Sequence, residues 1–85
     1  MEKLNLVKNT FDQLPNNIEA EQAVLGSILV SNDIFDDVSP IINSNNFFDP
    51  MHQKIYIAIE KLIFSGMLAN PITLKNYFEN EKYEL

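Results

Sequence analysis

Cysteine and arginine are both missing from this chain of 85 residues, and each absence closes off a class of function. Without cysteine there is no disulfide framework and no thiolate metal site. Without arginine, the planar fork that reads guanine edges and phosphates is gone. Basic charge is left to Lys3, Lys8, Lys54, Lys61, Lys75 and Lys82, and twelve acids outweigh it to a formal net charge of −6. Nucleic-acid affinity comes mainly from neutralising phosphates, so no direct DNA binding by this segment is expected. Long apolar runs are missing as well. A signal peptide needs about 7–15 consecutive apolar residues and a membrane span about 20. The expectation is a cytoplasmic protein without a membrane contact.

Glycine and proline are scarce, at two and four residues, which favours helices over a hairpin-rich sheet. A hydrophobic fraction of 46% is enough for a globular core. The length allows one small domain, which hides only about 60% of the surface of its unfolded chain. Leu4, Leu6, Val7 and Phe11 follow no period, so residues 1–14 are expected to form a flexible arm ahead of a helical domain over 15–85.

The first helix is predicted to start at Asn17, a residue type whose side-chain oxygen accepts from a free N–H of the first turn. Ile18, Val24, Leu25, Ile28 and Leu29 share one face of it at 100° per residue. The other side carries Ala20, Ala23, Gly26 and Ser27, all small, which predicts a helix covered on both sides. Ser31 or Asn32 caps a shorter second helix with Ile34, Val38, Ile41 and Ile42 as its stripe, and Pro40 breaks it near Ser39. Asp49-Pro50 opens a third helix, as an N-cap followed by proline at the first helical position. Its expected core face is Met51, Ile55, Ala58, Ile59, Leu62 and Ile63, and Ser65-Gly66 ends it. A last helix is expected after Thr73, presenting Leu74, Tyr77 and Phe78. The pattern is all-α, a bundle of about four helices. Its expected central contacts are Leu25, Ile28, Leu29, Ile55, Ile59 and Leu62. Leu85 carries no helix-ending signal, which points to a domain truncated at its C-terminal side.

No catalytic, cofactor-binding or metal residues are assigned. Gly26 and Gly66 stand alone, and neither opens the Gly-x-x-x-x-Gly-Lys-Ser/Thr loop that wraps a phosphate. His52, the only histidine, is read as a half-buried packing and hydrogen-bonding residue, since zinc needs three or four ligands. Glu21 falls within the apolar arc of the first helix. A carboxylate there is expected to accept hydrogen bonds from backbone N–H groups or from a neighbouring helix, because an unpaired buried charge is costly. A general acid–base role would need a partner that the sequence does not name. Phe47 and Phe48 are adjacent and point apart, one inward and one outward. Phe48, with Ile57 and Phe64 on the side of the third helix away from its stripe, is the candidate protein-interaction surface.

Three blocks carry a family likeness. Leu14-Pro15 followed by Ile18-Glu19-Ala20-Glu21-Gln22-Ala23-Val24-Leu25-Gly26 resembles the opening of the N-terminal domain of DnaB-type replicative DNA helicases. Pro50-x-His52-x-x-Ile55-Tyr56, with Phe47-Phe48 before it, is similar to that family's second signature, and Ile72-Thr73-Leu74 to its third. Pro40 and Asn46 depart from the family pattern, in which an acidic residue is commoner just before the aromatic pair. The resemblance implies a small orthogonal helical bundle at the head of a bacterial, ring-shaped hexameric helicase. It implies a collar built by pairing of such domains, on which the helicase-binding domain of primase docks, with a helicase loader as a further partner. ATP and magnesium would belong to a separate C-terminal domain of the parent chain, and no cofactor to this segment. Two other classes fit the composition. One is a free-standing interaction protein without an ATPase, such as a helicase-loading factor or a primase-type helicase-binding domain. The other is a small metal-dependent enzyme centred on His52.

Overall fold

A computed structural model describes residues 17–83, so the arm expected over 1–14 lies outside the described residues. The described residues are all-helical: α1 (Ile18–Val30), α2 (Asp33–Val38), a single 3-10 turn (Ser44–Asn46), α3 (Pro50–Phe64) and α4 (Pro71–Tyr83). Helix α3 is the hub, packing against α1, α4 and the 3-10 turn, while α2 lies on α1.

Side-chain caps set the starts of three helices. Asn17 accepts from the Ala20 N–H at 2.7 Å. Asp49 accepts from Met51 at 2.7 Å and more loosely from His52 at 3.4 Å, with Pro50 contributing no N–H to satisfy. Helix α4 begins three residues earlier than expected, because Asn70-Pro71 repeats the device. The Asn70 side chain accepts from Ile72 and Thr73, and Thr73 Oγ1 accepts from the Asn70 N–H, each at 2.9 Å. This reciprocal box is legible in the sequence once Asn-Pro is read as Asp-Pro was. Gly66, at φ 81°, ends α3 in the left-handed region, and the N–H groups of Gly66 and Met67 return to the carbonyls of Ile63 and Leu62.

Three expectations about faces need correction. Helix α2 stops at Val38, as Pro40 requires, and of its expected stripe Val38 and Ile42 are buried while Ile34 is half-buried and Ile41 is 39% exposed. Phe35, which the expected stripe omits, is buried instead beside Val38 and Ile42. The small face of α1 is covered only in part: Ala20 is buried and Gly26 and Ser27 are half-buried, but Ala23 is exposed and a Cβ added at Gly26 would meet nothing within 4 Å. On α3 the buried face is turned toward His52 and Tyr56, while Met51 is 56% exposed and Ile55 and Ile63 are half-buried. The turn is possible because both polar tips find partners. Tyr56 donates its hydroxyl to the Ile42 carbonyl at 2.7 Å, and its ring lies 5.7 Å from Phe35 and 5.1 Å from Phe47. Burial, with the charge of Glu60 adding to it, pushes the Tyr56 hydroxyl up to about 12.

Asn32 stands at the head of α2 yet makes no capping bond there. Its side chain reaches across the domain, donating to the Ala69 carbonyl at 2.9 Å and accepting from the Ala69 N–H at 2.8 Å. It also donates to the Ile28 carbonyl at 2.9 Å. One amide thus ties the α1–α2 junction to the loop before α4. Replacing Asn32 by alanine strands both backbone groups of buried Ala69, and a loss of about 2–3 kcal/mol is expected in urea denaturation. Amide exchange at Ala69 should accelerate with it. An unchanged exchange rate at that amide would show that the bridge is not made.

Candidate functional site

Glu21 projects from the first turn of α1 toward the segment that leads into α3. It is 2% exposed and accepts three hydrogen bonds: from the N–H of Phe48 at 2.6 Å, the N–H of Asp49 at 3.2 Å and His52 Nδ1 at 2.8 Å. His52, on the first turn of α3, is 7% exposed. Burial by itself raises the Glu21 carboxyl, but the His52 bond, the two backbone N–H groups and the attraction of His52 outweigh it. The carboxyl is held below its ordinary value of 4.5. With Glu21 ionised, it is the ring Nδ1 that carries the hydrogen of the shared bond.

The segment between the 3-10 turn and α3 is held on every side. The Phe47 ring is buried against Tyr56, and the Phe47 carbonyl accepts from Gln53 Nε2 at 2.6 Å. Glu21 takes the next two N–H groups, and Asp49 caps the helix. Asn46 completes a capping box with Asn43 just upstream, its side-chain oxygen accepting from the Asn43 N–H at 2.8 Å. Phe48 is therefore presented on a backbone with little freedom, and its side chain is 59% exposed. The cluster can hold a loop and orient an aromatic ring. Among the described residues no group of three or more His, Cys, Asp or Glu side chains could hold a metal.

The three candidate interaction residues do not form one patch. Phe64, the last residue of α3, is 74% exposed, and its ring stands edge-on to buried Phe35 at 6.0 Å. Ile57 is half-buried two turns before it on the same face. Phe48 precedes the other end of the helix, about 22 Å away along an axis of fifteen residues. Residues that the sequence reading placed elsewhere or passed over also reach the surface. Met51 is exposed beside Phe48, while Val30, Met67, Leu68 and Ile72 are exposed around the ends of α1 and α3 and the start of α4. Met67 and Leu68 lie in the short connection between the Gly66 stop and the Asn70-Pro71 start, from which only Ala69 turns inward.

The family model for the DnaB-like helicase N terminal domain matches residues 13–84. The chain belongs to that family. It is 44% identical over 79 residues to the replicative DNA helicase DnaB of Rickettsia typhi, an alignment covering 86% of this chain and 16% of that protein. It is 51% identical over 63 residues to the Rickettsia prowazekii protein of the same name, covering 74% and 13%. With the Mycobacterium leprae protein of that name it shares 40% over 62 residues, covering 73% and 10%. The chain thus spans between 10% and 16% of the length of these three relatives. No solved structure matches it. The first two of the blocks that carry the DnaB likeness are joined in the fold, and the third acts locally. Glu21 of the first block binds His52 of the second, and Thr73 of the third closes the Asn70 cap that starts α4. Among the described residues, no helix is long and apolar enough to cross a membrane.

Proposed function

We propose that this chain is the N-terminal protein-interaction domain of a replicative DNA helicase, acting in assembly of the ring's collar and in recruitment of primase. The observation that carries the reading is the family match over residues 13–84, nearly the whole chain. The partners are other helicase subunits in a hexamer, the helicase-binding domain of primase, and a helicase loader. In this reading the longer protein unwinds duplex DNA with ATP and magnesium through residues not contained here. The chain itself offers such chemistry no footing, having no phosphate-binding loop among its 85 residues.

The candidate contacts lie at two separate places, Phe48 before the start of α3 and Ile57 with Phe64 toward its end, so they would serve two distinct contacts. Exposed aromatic side chains held by a rigid backbone suit the role of anchors, because little ordering remains to be done when a partner binds. Calorimetric titration with the helicase-binding domain of the cognate primase tests the assignment. Saturable binding is expected, weakened about tenfold or more by Phe48→Ala or Phe64→Ala. Absence of heat from a folded chain would reject primase recruitment by this segment and leave collar assembly as its role.

A further inference from the structure

The solvent side of α3 has a charge pattern that the rest of the domain lacks. Lys54, Ile57, Lys61 and Phe64 follow one another at steps of three, four and three residues, which sets them on one helix face. Lys54, Lys61 and Phe64 are exposed and Ile57 is half-buried. Among the described side chains the only other lysine is Lys75, on α4. Neither Lys54 nor Lys61 is paired with a described carboxylate, the one such pair being Glu21 with His52. Phe64 is steadied by its edge-on contact with Phe35.

The two ammonium groups border the Ile57–Phe64 strip on one side and half-exposed Glu60 borders it on the other, so the lysine side of the strip is complementary to a helix that carries carboxylates along one edge of its apolar residues. The two lysines lie seven residues apart, about 10.5 Å along the axis. Acidic residues seven apart on a partner helix packed alongside would face both. We propose that the Lys54–Ile57–Lys61–Phe64 face docks an acidic amphipathic helix of a partner protein. The inference rests on the docking role above and adds to it the chemistry of the partner. Nucleic acid suits the face less well, since two lysines without arginine neutralise few phosphates.

The test uses two stapled, fluorescently labelled helical peptides with the same leucine stripe, one flanked by glutamates and the other by lysines. Anisotropy titration should show binding of the glutamate peptide alone. Combining Lys54→Glu with Lys61→Glu should weaken it about tenfold, while Lys75→Glu leaves it unchanged and circular dichroism shows both variants folded. Binding of neither peptide, equal binding of both, or indifference to the double reversal overturns the proposal. Capture of single-stranded DNA that is lost in the same double variant overturns it in favour of a nucleic-acid face. Titration with the primase domain separates the two claims. Primase binding that responds to Phe64→Ala but not to charge reversal keeps the docking role and removes the acidic partner. Peptide binding without primase binding keeps the acidic partner and removes primase.

Discussion

Replacing Glu21 by alanine should destabilise the domain by about 3–5 kcal/mol, enough to leave a protein of this size largely unfolded at room temperature. The substitution removes no large apolar surface. It strands the N–H groups of Phe48 and Asp49, which are part-buried, and the buried ring N–H of His52, which lose their acceptor together. Glu21→Gln keeps one acceptor oxygen in the same position and should cost roughly half as much. His52→Ala should cost less than Glu21→Ala, because the carboxylate keeps its two backbone donors. A double-mutant cycle between the two positions should then show strong coupling. The pH dependence has a definite sign. A carboxyl whose folded value lies below 4.5 contributes stability that is complete above that pH and is lost as pH falls through the lower folded value. The urea midpoint of the wild type should therefore drop below pH 4.5, and in Glu21→Gln that component of the drop should vanish. A Glu21→Ala domain within about 1 kcal/mol of wild type would mean that the buried cluster does not hold the fold.

Phe35→Ala should be comparably severe, costing about 3–5 kcal/mol in chemical denaturation. Phe35 is almost fully buried where α2 meets α3, with ring contacts to Tyr56 at 5.7 Å and Phe64 at 6.0 Å. Truncation opens a cavity between two helices that cannot both close on it. Phe64, at 74% exposure, is the internal comparison: its alanine variant loses one edge contact and should change stability by about 0.5–1 kcal/mol. If the two variants were equally mild, the aromatic cluster would not be the centre of the core. A consequence for docking follows, since the Phe64 ring leans on Phe35 and a partner that uses Phe64 would feel the loss of the ring beneath it.

Much of the fold could be read without coordinates because helix ends are written locally. Asn17, Asp49-Pro50, Pro40 and Ser65-Gly66 act within four residues of themselves, and each acts where it was placed. The burial of Leu25, Ile28, Ile59 and Leu62 followed from helical spacing, since one face of an amphipathic helix has only one way to leave water. The carboxylate of Glu21 was legible as a buried acceptor for the same reason, because charge within an apolar arc must be bonded.

Its donors were not legible. His52 and the Phe48 and Asp49 amides stand 31, 27 and 28 residues away, and no local rule pairs groups at that distance. Asn32 and Ala69, 37 residues apart, are a second case: the local reading offered Asn32 as a cap, and tertiary packing used it as a bridge. The rotation of α3 that buries Tyr56 and exposes Met51 was likewise settled by packing. A tyrosine is neutral between core and surface until a carbonyl such as that of Ile42 is brought within reach of its hydroxyl. Spacing along the chain thus determined which segments are helices and which residues could turn inward. Only the assembled bundle decided which of them did, because burial of a polar tip depends on a partner that the chain supplies from far away.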